Sequence, residues 1–390
     1  MRVRALLVVV AMALGACGSG PVTTGEVLTW WDSYSTEPGS AAVETVLTRF
    51  EQQHPGVDVR RTSFGRDELR KRVDEAVTSG GLPDVAVVDT GDVARLAPAV
   101  VDLTARYGGW DSKLLDPVRR GVVVDGKSYG VPVRASTLAL VRNRELVPEP
   151  PSTWDELRSV ARGRTSGERA GLCFAGAGDA LASGFLPVLW QAGGDVRDVG
   201  GAAGVAALSF VDGLRTDGSV PAGVADWDDA AAAEAFSLGR CAMLLAGPEV
   251  TPSANLAGLD WVSGPLPGGV PAPVRGETGV IGRGSAHVDL AWRLLTWVSD
   301  TRDNSTQLGG VLYALPDRAD TVTDLGWQWD PNVAGFAEQL RASRPMAEYG
   351  PNYPRIATAV AAAARDVLEG RKAPAAAAEE AGRVVGPLTR

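Results

Sequence analysis

Strand-like apolar runs alternate with helical periodicity in the N-terminal part of this chain, and this alternation restricts its fold more than any other feature. Val27–Trp31, Val57–Phe64 and Val85–Val88 have the length and apolar content of buried strands. Between them, residues 43–50 and 69–77 repeat apolar side chains at the spacing of one helix face. Strands that alternate with helices predict a parallel sheet covered on both faces, so we expect an α/β fold.

Turn and capping signals predict further elements along the chain. Asp125-Gly126 separates two strand-like segments, which predicts a hairpin with a two-residue turn. Thr153 and Glu156 have the spacing of a capping box, which predicts that a helix begins there. The Pro/Gly-rich segment Pro265–Pro273 is a candidate crossing between two domains.

The N-terminus has the pattern of a bacterial lipoprotein signal. Arg2 and Arg4 precede the apolar run Ala5–Leu14, and small residues lead to Cys17. This pattern predicts a signal peptide over residues 1–16 and attachment of a lipid to the Cys17 thiol. The mature chain would then be anchored to the outer face of the cell membrane through a flexible tether over residues 17–26. The alternative is an ordinary signal peptide with an incidental cysteine.

Composition excludes several classes of function. The formal net charge of −9 argues against nucleic acid or anionic lipid as a partner. His54 and His287 are the two histidines, and each lies beside a predicted helix end. Histidine-based catalytic triads and His/Cys zinc sites therefore lack most of their groups, and no Walker A motif is present. We expect no metal and no cofactor. No later run is apolar and long enough to predict a transmembrane helix.

Cys173 and Cys241 remain once Cys17 is assigned to the lipid. Both lie in apolar, strand-like segments, and an extracytoplasmic compartment is oxidising. We expect a disulfide between neighbouring strands. Two separate buried thiols are the alternative.

Short motifs occur in a defined order over nearly the whole mature chain. They are Val27–Asp32 with Phe50–Val59, Gly80–Val85, Gly126–Pro132 followed by Leu140–Asn143 and Pro151–Leu157, Ala235–Met243 with Gly247-Pro248, and Arg344–Pro354. In order and spacing they resemble the extracellular solute-binding proteins of carbohydrate ABC importers, the family that includes the maltose-binding protein.

The resemblance implies a two-lobed, periplasmic-binding-protein-like (type II) α/β fold, with hinge crossovers and a ligand cleft between the lobes. It divides the chain into an N-terminal lobe of residues 27–134 and 275–325 and a C-terminal lobe of residues 135–274 and 326–390. It further implies a monomeric receptor, not an enzyme, that captures a mono- or oligosaccharide and delivers it to ABC transporter permease subunits.

Two positions differ from the maltose-type pattern where that pattern contacts sugar. Glu249 replaces the tryptophan of its Gly-Pro-Trp motif, and Val88 replaces an aromatic residue after the third strand. The ligand is therefore not predicted to be a maltodextrin. A glycerophosphodiester or a peptide remains an alternative solute. An extracellular glycoside hydrolase and a lipoprotein scaffold without a pocket are the less favoured alternatives.

Polar and aromatic residues beyond the strand ends are the predicted ligand contacts. In open α/β sheets the ligand lies beyond the carboxyl ends of the strands, and sugars are held by aromatic faces and polar side chains. The predicted contacts are Asp32, Ser33, Tyr34, Asp89, Thr90, Arg134, Ser136, Trp227, Glu249 and Tyr353. The alternatives are turn capping for the residues after strands, a hinge ion pair for Arg134, solvation for Glu249 and packing for Tyr353.

Overall fold

The computed structural model describes residues 25–300, 315, 317–319 and 329–389. The predicted signal peptide of residues 1–16, the lipidation site Cys17 and most of the predicted tether lie outside the described residues.

Eleven strands and fourteen α-helices, besides short 3-10 helices, are formed by the described residues. The strands are β1 Glu26–Asp32, β2 Val57–Ser63, β3 Val85–Asp89, β4 Val123–Val124, β5 Lys127–Ser128, β6 Val131–Ser136, β7 Ala139–Asn143, β8 Ala170–Phe174, β9 Cys241–Ala246, β10 Trp261–Gly264 and β11 Arg275–Ile281. The helices are α1 Gly39–Gln53, α2 Arg66–Ser79, α3 Val93–Leu96, α4 Thr104–Tyr107, α5 Asp116–Gly121, α6 Trp154–Arg164, α7 Gly178–Gln191, α8 Ala202–Thr216, α9 Asp229–Ser237, α10 Thr251–Leu256, α11 Val288–Asp300, α12 Ala334–Arg341, α13 Tyr353–Leu368 and α14 Pro374–Val385.

The N-terminal sheet has the strand order β2-β1-β3-β11-β6. Strand β1 is parallel to β2 and β3, as the alternating pattern predicts. Strand β11 comes from much later in the chain and pairs antiparallel with both β3 and β6. Strand β6 therefore runs in the same direction as β3, and the carboxyl ends of β1, β3 and β6 lie at one edge of the sheet.

The C-terminal sheet has the strand order β10-β7-β9-β8. Strand β8 is parallel to β9, whereas β7 is antiparallel to both β9 and β10. A disulfide joins Cys173 of β8 to Cys241 of the neighbouring β9, as expected from their strand-like surroundings. It closes a covalent loop with a sequence separation of 68 residues inside this lobe.

Apolar helix faces cover both sides of each sheet. In the N-terminal lobe, α1 and α11 pack on one face through residues such as Phe50 and Leu294, and α2 packs on the other through Leu69 and Val73. In the C-terminal lobe, α7, α8, α13 and α14 share one core, and α9 and α12 belong to a second core that includes the buried Trp261. Apolar side chains are thus buried on both faces of each sheet, as packed layers require.

Within residues 25–300, the chain crosses between the lobes twice. The first runs from the end of β6 at Ser136 to the start of β7, and the second runs through the predicted Pro/Gly-rich connector to β11. The hydroxyl of Thr137 in the first crossing donates to the Pro273 carbonyl in the second, at 3.1 Å. The two crossings are therefore tied to each other.

A buried glutamine ties the second crossing to the C-terminal lobe. Gln339 lies on α12 and is 1% exposed. Its side chain accepts from Leu266 N at 2.7 Å and donates to Val270 O at 3.1 Å. These two bonds satisfy backbone groups of the connector that would otherwise be buried without a partner.

None of the described helices combines the length and the apolar content that a membrane crossing requires.

Candidate functional site

A row of three charged residues crosses the N-terminal sheet at the edge where the chain passes between lobes. Glu277 on β11 is the register partner of Asp89 on β3 and of Arg134 on β6. Side chains that are directly opposite in a sheet project from the same face, so these three charges lie side by side. The row brings together two predicted contacts, Asp89 and Arg134, with a carboxylate that the sequence did not single out.

Glu277 is the centre of this row. It is 3% exposed, and its carboxylate accepts from Arg134 Nε at 2.8 Å and from the hydroxyl of Tyr34. Burial, and then the charge of Asp32, raise the pKa of Glu277, while the Arg134 guanidinium beside it opposes that rise by favouring the carboxylate. Tyr34 and Arg134 are thereby fixed in position by one shared acceptor.

Arg275 connects this row to the C-terminal lobe. It is the register partner of Ser136, and it donates to Asp229 at the start of α9, with Nη2 2.7 Å from Oδ2. A second carboxylate, that of Glu249, has Oε1 3.6 Å from Arg275 Nη1. Burial lowers the pKa of Arg275, but Asp229 and Glu249 outweigh it and raise the pKa above its usual value. The pair of acids keeps this partly buried guanidinium charged.

Two oxygen atoms beside Arg275 are buried and have no hydrogen-bond partner among the described residues. They are Ser136 Oγ and Glu249 Oε2. A buried polar atom without a partner is unfavourable by about 1–3 kcal/mol, so both atoms have unused capacity to bind a ligand. The hydroxyl can donate or accept, and the carboxylate can accept from a ligand hydroxyl or ammonium group.

Tyr353 provides an aromatic surface at the junction of the lobes. It begins α13 in the C-terminal lobe, and its ring stacks on Tyr349 with centroids 6.0 Å apart. A Cβ atom on Gly91, in the loop after β3, would lie 3.4 Å from the Tyr353 ring. Burial, followed by the charge of Asp179, raises the pKa of the Tyr353 hydroxyl, which therefore stays neutral. The edge of the ring therefore lies against the N-terminal lobe at Gly91.

The lobes are in contact in this structure. A cavity of about 20 Å³ at the site is lined in part by Ser33, Arg66, Asp89 and Glu277. That volume is enough for about one water molecule, and a sugar needs far more. The ion pairs Arg70–Asp179 and Arg275–Asp229 join the two lobes, so the arrangement is a closed one in which polar groups of both lobes have been brought together.

A larger groove of about 340 Å³ lies between α13 and α14. Alanines make up much of its lining, together with the ion pair in which Lys372 contacts Asp366 and Glu380. None of the described residues that line it is aromatic. Its described lining therefore lacks the aromatic faces on which sugars stack.

The surroundings of Asp32 argue against the predicted direct contact with ligand. Its side chain is 0% exposed, and both of its oxygens have protein partners. Arg61 donates to each oxygen at 2.7 and 3.0 Å, Trp30 Nε1 donates at 2.7 Å, and the backbone N–H of Tyr34 donates at 2.9 Å. A carboxylate saturated in this way positions the loop that carries Ser33 and Tyr34, and it has no exposed oxygen for a solute.

Thr90 and Trp227 make contacts of a structural kind. Thr90 is 7% exposed, and its hydroxyl is paired with that of Thr278 at 3.0 Å. Trp227 is half-buried and packs against the cores of the C-terminal lobe. Its carbonyl accepts from the backbone N–H groups of Gly176 and Ala177, in the loop that leads into α7. These contacts favour structural roles for both residues over ligand contact.

Four charged residues of the site were missed by sequence reasoning. They are Arg66, Asp229, Arg275 and Glu277. Arg66 pairs with Asp89 at 3.0 Å and covers one side of the row. Arg275 and Glu277 directly follow the Pro/Gly-rich connector, and the antiparallel return of a strand after such a crossing is the signal that could have identified them.

No group of three or more His, Cys, Asp or Glu side chains within the described ranges is arranged to hold a metal ion. What the site offers is arginine donors, carboxylate acceptors, hydroxyl groups and aromatic rings. This set suits recognition of a polar solute by hydrogen bonds and stacking.

Comparisons with solved structures place the fold. The chain is similar to the GacH receptor of Streptomyces glaucescens, with a TM-score of 0.81 and 24% identity over 94% of this chain and 98% of that one. It is also similar to the maltose-bound MalE3 of T. maritima, with a TM-score of 0.81 and 22% identity over 93% of this chain and 100% of that one. At this level of identity the likeness establishes the fold, and it confirms the predicted two-lobed α/β architecture.

Comparisons of sequence also find similarity to binding proteins. A binding protein of Brucella abortus (strain 2308) is 22% identical over 92% of both chains. The maltotriose-binding protein of Pyrococcus abyssi is 22% identical over 83% of this chain and 72% of its own length. The family model of bacterial extracellular solute-binding proteins matches residues 45–335, which is most of the chain. This chain therefore belongs to the family of bacterial extracellular solute-binding proteins.

Proposed function

We propose that this protein is the lipid-anchored, extracytoplasmic substrate-binding protein of an ABC importer. It captures a mono- or oligosaccharide when its two lobes close, and it delivers the sugar to permease subunits in the membrane. No bond of the solute is made or broken, because the work is done by the difference in ligand affinity between the closed and open states. The protein acts as a monomer, without a metal or a cofactor.

One observation carries this proposal. Groups from both lobes converge where the chain crosses between them: Asp89, Glu277 and Arg134 from the N-terminal sheet, and Glu249 and Tyr353 from the C-terminal lobe. The unpartnered Glu249 Oε2 and Ser136 Oγ add hydrogen-bonding capacity beside Arg275. An aromatic ring, hydrogen-bond donors and hydrogen-bond acceptors together complement a hydroxyl-rich solute better than they complement an apolar solute.

The proposed contacts follow from that geometry. Tyr353 stacks on the sugar ring, and Arg134 and Arg275 donate to ring or hydroxyl oxygens. Hydroxyl groups of the sugar are bound by Glu249, Asp89 and Ser136. The loop after β1, with Ser33 and Tyr34, borders the sugar on one side. Asp32 positions the loop that carries Ser33 and Tyr34. Thr90 supports strand β11 through its hydrogen bond with Thr278.

The lobe boundaries belong to the same proposal. The N-terminal lobe comprises residues 27–134 and 275–325, and the C-terminal lobe comprises residues 135–274 and 326–390. Residues 1–16 are the signal peptide, and residues 17–26 tether the lobes to a lipid on Cys17. Replacement of Cys17 by serine should release the protein from the membrane fraction, whereas retention of the Cys17→Ser variant there would contradict the anchor.

Calorimetric titration of the purified soluble chain tests the proposed ligand class. Monosaccharides, maltodextrins, a glycerophosphodiester and a short peptide are titrated separately, and each mixture is then assayed for products. We expect a sugar to bind in a 1:1 complex, to raise the melting temperature and to be recovered intact, because a ligand that binds the folded form stabilises it. Binding of the phosphodiester or the peptide alone would contradict the sugar assignment, and sugar hydrolysis would contradict the receptor assignment.

A further inference from the structure

We propose that Arg70 and Asp179 form a latch between the lobes that stabilises the closed state. This inference rests on the proposed function, since closure around a solute is the event that the latch favours. It concerns two residues that lie at the edge of the candidate site and that the proposed ligand contacts do not include.

The two residues belong to different lobes. Arg70 is on α2, which packs on the N-terminal sheet through Leu69 and Val73. Asp179 is in the first turn of α7, which packs in the core of the C-terminal lobe through Leu181 and Phe185. Arg70 Nη1 donates to Asp179 Oδ2 at 3.1 Å. Separation of the lobes must break this contact, because each partner is fixed to its own lobe.

Arg70 is already held in place by its own lobe. Its Nε donates to Asp92 Oδ2 at 3.2 Å, and its Nη2 lies 3.4 Å from Asp92 Oδ1. Asp92 is 4% exposed, so this carboxylate is a fixed anchor. A planar guanidinium that is bound along one edge presents its remaining N–H groups in a fixed direction. Arg70 therefore loses little further side-chain freedom when Asp179 arrives.

The latch is next to the aromatic surface of the site. Asp179 is close enough to Tyr353 that its charge contributes to the raised pKa of the tyrosine hydroxyl. The same Tyr353 ring meets Gly91 in the loop after β3. The Arg70–Asp179 ion pair and the contact of Tyr353 with Gly91 therefore both form when the lobes close.

The size of the effect follows from the exposure of the pair. The side chains of Arg70 and Asp179 are 40% and 50% exposed, and ion pairs at such positions are weak and are screened by salt. We expect the latch to change the ratio of closed to open molecules by about 2- to 5-fold. A contribution of this size changes the ratio of closed to open molecules only moderately. Most of the affinity for the solute then comes from the contacts with the solute itself.

The test measures the distance between the lobes directly. Spin labels are attached at Thr78→Cys on α2 and Ala206→Cys on α8, which are exposed positions in the two lobes. Distance distributions of the ligand-free protein are recorded by double electron–electron resonance for the parent, for Asp179→Asn and for Glu68→Gln. The control Glu68 pairs with Arg72 within α2, so this ion pair does not cross the cleft.

We expect Asp179→Asn to shift the population toward longer distances by about 2- to 5-fold and Glu68→Gln to leave it unchanged. The parent should approach Asp179→Asn when salt is raised from about 10 mM to about 1 M, because the screening length falls from about 30 Å to about 3 Å. Identical distributions for the parent and Asp179→Asn would overturn the latch. Since no ligand is present, failure of the sugar assignment in the titrations above would leave this result intact.

Discussion

Arg275 on β11 forms a two-pronged ion pair with Asp229 in the first turn of α9. Its Nη2 is 2.7 Å from Oδ2, and its Nη1 is 3.3 Å from Oδ1. One residue belongs to the N-terminal sheet and the other to the C-terminal lobe. The pair therefore links strand β11 of the N-terminal sheet to helix α9 of the C-terminal lobe.

This ion pair makes stability depend on pH in the acid range. Burial raises the pKa of Asp229, but Arg275 outweighs it and holds the pKa below the usual 3.8. A carboxyl with a lowered folded-state pKa stabilises the protein above the unfolded value, and this contribution is lost as the pH falls through the folded value. Asp229→Asn should therefore lower the free energy of unfolding by about 1–2 kcal/mol at neutral pH and by progressively less below pH 3.8.

Urea titrations of the parent and Asp229→Asn at neutral and acid pH measure that difference. The matched control is Asp125→Asn, because Asp125 is exposed in a hairpin turn at φ 50°, which asparagine also adopts. A difference between parent and Asp229→Asn that stays constant over the acid range would contradict the assignment to this carboxylate.

Replacement of Asp32 should destabilise the fold rather than only weaken ligand binding. The Asp32→Asn change breaks a buried pair in which Arg61 is only 5% exposed at its side chain. Loss of one partner of such a pair is unfavourable by about 3–5 kcal/mol. The measurement is the urea midpoint, with Asp58→Asn as the control because its pair with Arg60 is exposed. Equal stability of the two variants would show that the Asp32 pair does not brace the loop.

Tyr353 should act through its ring face and not through its hydroxyl. Tyr353→Phe keeps the ring and should bind the solute as the parent does. Tyr353→Leu keeps much of the buried volume but removes the stacking surface, so we expect the affinity to fall by at least about tenfold. Calorimetry measures both variants. If the phenylalanine variant lost as much affinity as the leucine variant, the hydroxyl would be the main contact.

Gly91 should be essential for closure because a larger side chain would collide with Tyr353. A Cβ there would already be 3.4 Å from the ring, which an alanine can occupy in ordinary contact. Gly91→Leu extends beyond that limit and should weaken solute binding by about 10- to 100-fold. Its melting temperature should stay near that of Gly91→Ala, because the open state relieves the collision. Unchanged affinity in Gly91→Leu would argue against closure at this point.

Removal of the Cys173–Cys241 bridge should lower stability without changing solute affinity. The bridge closes a loop with a sequence separation of 68 residues, and loss of a native disulfide of this kind is unfavourable by about 2–4 kcal/mol. The double change Cys173→Ala, Cys241→Ala should match the parent treated with a reductant in urea unfolding. A parent that reductant leaves at full stability would contradict a stabilising role.

Local sequence determined the elements that depend on neighbours in the chain. The alternating N-terminal pattern formed β1, α1, β2, α2 and β3 in that order. Asp125-Gly126 forms the two-residue turn of the β4–β5 hairpin, with positive φ of 50° and 75°. Thr153 caps α6 by accepting from Glu156 N at 3.1 Å, although the Glu156 carboxylate accepts from Ser152 N and not from Thr153. Periodicity, turn geometry and capping depend on residues a few positions apart, so they can be predicted from the sequence.

Tertiary structure alone decided which charges meet at the site. Arg134 and Glu277 are separated by 143 positions in the chain, and they become partners because β11 inserts antiparallel between β3 and β6. Asp32 lies at the carboxyl end of β1, which is a favourable place for a ligand contact, but Arg61 on β2 donates to both of its oxygens. Strand register and the pairing of distant side chains depend on how whole layers pack, and no local pattern encodes that choice. The sequence thus specified the lobes and their family, and the packing of the lobes specified the site.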